Sequence, residues 1–229
     1  FEHATLFHAA ALALGYDAEL RLGRVGDPAE VPRTHLGVVV TLDGVRYLCD
    51  PGIGIPPTGP VELRHGARVG GGVWEHEIRE TDEGVAGPAW ELWRLRSHGW
   101  EHMHTTDELP VRTVDVAMGH HWTSTSPTSH FRTSFMVARH GLADDGTPTH
   151  TVLGLDGITE RRAGTPSSRR PLDLDELPDL LDRLGSPLAP DELARLRDRL
   201  RGLEAQAWRP SHLDQQDRCR SRLRPAWSP

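Results

Sequence analysis

Hydrophobic and polar residues change their spacing several times along the chain. In residues 1–15, FEHATLFHAAALALG, Leu6, Phe7, Ala10 and Leu14 recur at nearly helical intervals, and Gly15 is a natural stop. Residues 18–26, AELRLGRVG, alternate as a strand does. Two β-branched or apolar runs follow, 35–42 and 45–49, with Asp43-Gly44 between them. Asp-Gly between such runs predicts a tight hairpin, because both central residues of the favoured turn need positive φ. Residues 51–60, PGIGIPPTGP, hold too much Gly and Pro for regular structure. Short strand-like runs such as VWEHEIRE and WELWRLRS fill 73–104 and predict a small barrel or sandwich. Residues 132–139 and 150–155 read as two more strands. Helices are expected near 173–184, closed by Gly185, and near 190–205, opened by Pro190.

The two-residue turn fixes a register. Leu42 faces Val45, Val40 faces Tyr47, Val38 faces Cys49, and this apolar side is expected to look into the core. The other side pairs Thr41 with Arg46, Val39 with Leu48, Gly37 with Asp50 and His35 with Gly52. His35 and Asp50 are then diagonal neighbours, roughly 7–8 Å apart at the backbone. Gly37 has no side chain to keep an imidazole from leaning across. A histidine oriented by a carboxylate is two-thirds of a nucleophilic triad, and it is also a common structural hydrogen bond. Cys49 neighbours Asp50 in sequence, so it points to the opposite, apolar side and reads as an inert small hydrophobe. Cys219 lies in an arginine-rich tail with nothing to tie it to the hairpin.

Composition narrows the class. The chain has 229 residues, 37% hydrophobic and 26% charged, with a net charge of −7. That is enough for one large or two small soluble domains, and it gives no sign of a nucleic-acid partner. Two cysteines make no disulfide framework, and an intracellular, cytoplasmic setting fits. No apolar run nears the roughly 20 residues that span a membrane. Of fourteen histidines, His98, His102 and His104 cluster, and His102 and His104 are expected on one strand face. No zinc-ligand spacing accompanies them, so they read as core or solvated histidines, with no metal expected. Residues 124–131, STSPTSHF, read as a Ser/Thr turn; such turns can also point backbone N–H groups outward and bind anions.

Taken in order, Phe1-Glu2 opening a helix, Thr34-His35 on a strand, Asp50-x-Gly-x-Gly after a hairpin and Ser124-Thr-Ser-Pro-x-Ser-x-Phe131 resemble the arylamine N-acetyltransferases. The matching motifs run from Phe1 to Phe131, and the closing helices resemble the family more weakly. The resemblance implies an α+β fold: the end of an N-terminal helical bundle (1–17), a central antiparallel β-barrel (18–122) and a C-terminal α/β lid (123–206). An arginine-rich tail (207–229), expected to be disordered, has no counterpart. It implies His35 and Asp50 as the triad histidine and aspartate, with the nucleophilic cysteine immediately before Phe1. The sequence is therefore expected to be a fragment that is inactive alone. Acetyl-coenzyme A is the implied co-substrate, and an arylamine or hydrazine the acceptor. Thr128 and Ser129 fall where the family contacts coenzyme A. Gly52, Ile53, Gly54 and Phe131 fall where it contacts the acceptor. Pro51 and Ile53 depart from the usual residues there. Two other readings share these motifs: a non-catalytic remnant that binds coenzyme A or a partner, and an amide synthase or hydrolase with the same triad.

Overall fold

The computed structural model describes residues 1–70, 74–82, 87–96 and 98–207, and side chains to Leu203. The arginine-rich tail and Cys219 lie outside the described residues. By its contacts the chain forms two compact units. One comprises Phe1–Thr133, His140–His150 and Arg161–Pro166; the other comprises Ser134–Arg139, Thr151–Glu160 and Ser167 onward. No helix among the described residues is long and apolar enough to cross a membrane.

The first unit is built on an eight-stranded antiparallel sheet ordered β4-β3-β2-β1-β8-β7-β6-β5. Its strands are β1 (Asp17–Arg24), β2 (His35–Leu42), β3 (Val45–Cys49), β4 (Val61–Glu62), β5 (Arg68–Val69), β6 (His76–Thr81), β7 (Ala89–Arg96) and β8 (Gly99–Asp107). The edge strands β4 and β5 touch, so the sheet curls almost into a closed barrel. Val39, Leu48, Val61, Ile78 and Leu92 form one buried cluster, drawn from β2, β3, β4, β6 and β7. Helix α1 (Glu2–Ala13) packs on the other side of β1–β3, where Ala4, Leu22, Leu36, Val38 and Cys49 form a second cluster.

Strand β2 is therefore covered on both faces, which corrects the expectation of one core face. The apolar run Val38-Val39-Val40 is the physical reason: neither parity is polar enough to face water. The expected core side opens to solvent toward the turn, where Leu42 is half exposed. Helix α1 also turns differently from its apolar spacing. It buries Ala4 and Ala11, while Leu6 and Leu14 are 71% and 76% exposed. Small side chains let the helix lie close against the sheet. Gly15 at φ 88° closes it, with the Tyr16 N–H donating to the Ala11 carbonyl.

Helix α2 (Thr113–Thr125) falls where no helix is expected, and the short α3 (His130–Thr133) follows it. A second sheet, ordered β12-β11-β10-β9, contains β9 (Met136–Leu142), β10 (Pro148–Gly154), β11 (Gly157–Arg162) and β12 (Ser168–Arg170). The strand expected at 132–139 thus begins later, because α3 takes its first residues. Helices α4 (Leu177–Arg183) and α5 (Pro190–Ala207) match the two expected C-terminal helices. Leu177, Leu180, Leu181 and Leu200 pack with Leu153 and Ile158 as the core of the second unit.

Candidate active site

The hairpin turns at Asp43 (φ 50°) and Gly44 (φ 78°), and its ladder runs Leu42↔Val45, Val40↔Tyr47 and Val38↔Cys49, as expected. Asp50 follows the last residue of β3, and His35 is the first of β2. Both share the parity of Val39 and Leu48, so they project into the barrel interior. His35 Nε2 lies 2.7 Å from Asp50 Oδ2. Asp50 is only 6% exposed.

A third residue, which the sequence reading left among the core histidines, completes the group. His104 Nε2 lies 2.9 Å from the same Asp50 Oδ2, and His104 is wholly buried. A β-bulge explains why it was missed as a partner. Leu92 pairs with His104 while Trp93 pairs with His102, so one extra residue separates the two histidines. They face opposite sides of β8, not one side. His102 packs edge-on against Trp93 and reaches Thr105 Oγ1 instead.

Glycine makes room for this arrangement. Gly23 of β1 pairs with His35 on one side and Thr106 on the other. A Cβ there would sit 3.0 Å from both the Thr105 carbonyl oxygen and Thr106 Oγ1, and 3.4 Å from His104 Nδ1. The same threonine hydroxyl lies 3.1 Å from His104 Nδ1.

Burial pushes the Asp50 carboxyl up, but the His35 charge and the hydrogen bonds from His104 and His35 outweigh it, holding Asp50 well below the usual carboxylate range. An ionised carboxylate only accepts, so both Nε2 atoms carry hydrogen and donate. Burial, then the neighbouring His35 charge, pulls the His104 imidazole down, so it stays neutral. Its Nδ1 then accepts from the Thr106 hydroxyl. The Gly52 N–H donates to Asp50 Oδ1 at 3.3 Å. Burial and the Asp50 charge push the Cys49 thiol up to about 11, which suits an inert residue on the far side of the ladder.

The remaining predicted residues are spread out. Gly52, Ile53 and Gly54 continue directly from Asp50. A cavity of about 660 Å³ meets Asp50 and is walled by Phe7, Pro51, Pro56, Pro57, Leu142 and Pro148, among others. Gly52, Ile53 and Gly54 are not among its walls. Phe131 stands on α3, 73% exposed. In the Ser/Thr stretch the hydroxyls are spent on the end of α2. Ser124 Oγ and Thr125 Oγ1 donate to the His120 and His121 carbonyls, and Ser129 Oγ donates to Thr123 O at 2.5 Å. Ser129 is buried by this, whereas Thr128 stays exposed beside Ser126. The stretch is thus a helix terminator, not a ring of outward N–H groups.

A second histidine group occupies the same unit. His140 and His150 stack at 4.2 Å, Trp74 packs edge-on against both, and His150 Nδ1 lies 3.4 Å from an Arg161 nitrogen. His76 Nε2 reaches the Ile55 carbonyl at 3.3 Å.

A family model described as N-acetyltransferase matches residues 1–184. The chain belongs to the arylamine N-acetyltransferase family. It is 31% identical over 163 residues to an arylamine N-acetyltransferase of Escherichia coli (strain K12), covering 66% of this chain and 53% of that protein. It is 32% identical over 155 residues to a Salmonella typhimurium arylamine N-acetyltransferase / N-hydroxyarylamine O-acetyltransferase, with the same coverage. The chain thus spans about half the length of these relatives. The arylamine N-acetyltransferase of Mycobacterium abscessus superposes with a TM-score of 0.75 at 28% identity, over 87% of this chain and 71% of that one. The Mycobacterium marinum arylamine N-acetyltransferase in complex with CoA superposes with a TM-score of 0.71 at 27% identity, over 88% and 73%. The arylamine N-acetyltransferase fold here is α+β around a barrel-like sheet, as the motifs implied.

Proposed function

We propose that this chain carries the proton-handling part of an acetyl transfer from acetyl-coenzyme A to an aromatic amine or hydrazine. The observation that carries this reading is the 2.7 Å bond from His35 to a buried, ionised Asp50. With Nε2–H donating to Asp50, His35 keeps a lone pair on Nδ1 for a proton. By the family pattern the nucleophile is a cysteine immediately before Phe1. Its thiol proton moves to His35 Nδ1, and its sulfur attacks the acetyl carbonyl. Coenzyme A leaves as thiolate and takes the proton. The acceptor amine then attacks the thioester, its proton passes to His35, and the enzyme sulfur is released. Asp50 holds the imidazole's orientation and stabilises the imidazolium. His104 holds Asp50 from the other side, and Thr106 fixes His104. The CoA complex of the Mycobacterium marinum relative supports the choice of donor. Exposed Thr128 is the better donor-side contact of the predicted pair, and Ser129 serves by shaping the turn. Gly52, Ile53, Gly54 and Phe131 are proposed on the acceptor side.

The reading is tested on a chain with the family's cysteine before Phe1, assayed for acetyl-coenzyme A turnover with and without an arylamine. His35→Ala and Asp50→Ala should each abolish transfer while circular dichroism is unchanged. Wild-type turnover in either variant removes that residue from the mechanism. Turnover that ignores the arylamine would point instead to hydrolysis.

A further inference from the structure

We propose that His35, Asp50 and His104 also form a binding site for a divalent first-row transition metal, and that the metal switches the triad off. The binding rests on geometry alone; the inhibition rests on the acyl-transfer reading above.

One nitrogen from each imidazole and one carboxylate oxygen lie within 4.8 Å of one another, from buried Asp50 and His104 and the partly buried His35. Both nitrogens point at the same Oδ2, at 2.7 and 2.9 Å. Zinc holds imidazole nitrogen and carboxylate oxygen at about 2.0–2.2 Å, which puts tetrahedral ligands roughly 3.3 Å apart. Each nitrogen needs to draw back from Oδ2 by only about half an ångström to admit the ion. Nitrogen and oxygen donors of this kind suit zinc, cobalt and ferrous iron.

The surroundings also fit a cation. Asp50 is a buried anion whose ion-pair partners, among the described residues, are imidazoles and no guanidinium. A divalent ion places more positive charge beside this buried carboxylate than two hydrogen-bonding imidazoles do. A metal-bound histidine needs a partner for its other ring nitrogen, and Thr106 Oγ1 already stands 3.1 Å from His104 Nδ1. The hydroxyl turns from donor to acceptor, and His104 keeps one proton, now on Nδ1.

The consequence for the triad follows from the tautomer. A metal on His35 Nε2 leaves the ring's single proton on Nδ1. The lone pair that would take the thiol proton is gone. An imidazole that carries its one proton on Nε2 moves it across its own ring to Nδ1, so binding to rings in that form releases no net proton.

The test uses the chain freed of metal by chelator and titrated with Zn²⁺ by calorimetry and with Co²⁺ by visible absorption. One tight equivalent is expected. X-ray absorption of the zinc form should show two imidazoles and a carboxylate oxygen, without sulfur. His104→Gln should weaken binding at least 100-fold, and His102→Gln, across the bulge, should leave it unchanged. Equal affinity in His104→Gln and wild type overturns the site, because the ion then sits on other histidines. So does a sulfur ligand, or binding no tighter than about 100 µM. If His104→Gln fails to fold, the ligand set seen in the wild-type zinc form decides alone. Failure to bind metal leaves the acyl-transfer reading intact. A His35→Ala chain that still transfers acetyl groups removes that reading without touching the metal site.

Discussion

Two groups of three histidine or carboxylate residues sit inside the first unit, and they differ in one respect that governs the rest. Around Asp50, two imidazoles donate to a shared carboxylate, and each relevant polar atom of His104 is satisfied. Around Trp74, the imidazoles of His76, His140 and His150 meet one another and two arginines, Arg94 and Arg161, with no carboxylate among them. There His76 Nδ1, His140 Nε2 and His150 Nε2 are buried with no hydrogen bond of good geometry among the described residues. One anion therefore turns a pair of buried rings into an ordered relay. Without it the same ring type is held neutral by burial and by like charge. A buried histidine is defined by what it faces, not by its being buried.

Removing the anion should have the largest effect. Asp50→Asn keeps the shape but removes the charge and the fixed tautomer; in a serine triad the same change costs about 10⁴-fold in rate. A comparable fall in acetyl transfer is expected on a chain with the family's cysteine, measured at saturating acetyl-coenzyme A. A loss under tenfold would mean that the two histidine groups differ less than their charges suggest. Next comes the glycine that makes the first group possible. Gly23→Ala puts a methyl 3.0 Å from Thr106 Oγ1 and a backbone carbonyl. Overpacking of this kind costs about 1–3 kcal/mol, read as a lowered denaturation midpoint. Wild-type stability would show that β1 and β8 yield there. Cys49 gives a sharper check without catalysis. Its thiol, pushed up to about 11, should take no acetyl group when residues 1–229 are incubated with acetyl-coenzyme A at neutral pH. Acetylated Cys49 found by mass spectrometry would reopen the choice of nucleophile.

How much of this was legible in the sequence depended on local rules holding. Asp43-Gly44 set the hairpin, and the hairpin set His35 against Asp50, because turn and pairing are decided within fifteen residues. His104 was not legible as their partner. It comes from a strand far along the chain, and the extra residue in β8 reverses the parity that alternation assigns. Helix α2, TVDVAMGHHWTST, carries no apolar stripe; its buried positions are Gly119 and Thr123. A Cβ on Gly119 would lie 3.0 Å from the Phe1 ring, so close approach, not hydrophobic spacing, docks that helix. Strands β11 and β12 read GITERR and SRR, too charged to be noticed without their neighbours. In α1 the large apolar residues misled because alanine occupies the face that touches the sheet.

The smallest expected effect concerns the second histidine group and acid. Burial first, then the charges of His140 and Arg161, pull the His150 imidazole down to about 3, against an ordinary value of 6.5. Between those values the unfolded chain binds a proton that the folded chain refuses, so stability falls as pH drops below 6.5. The groups facing His150 are His140, Arg161, Arg94 and the Trp74 edge, with a Gly54 backbone hydrogen bond opposing the shift. None of them is an acid that could offset the charge. Each such histidine contributes at most about 1.4 kcal/mol per pH unit. His150 alone should cost about 1 kcal/mol between pH 7.5 and 5.5, a range above that in which ordinary carboxylates titrate. Urea denaturation at the two pH values should show that loss in the wild type and a smaller one in His150→Gln, whose amide does not titrate. Equal slopes in the two proteins would mean that the ring finds a proton acceptor on folding, and the contrast with the Asp50 group would narrow accordingly.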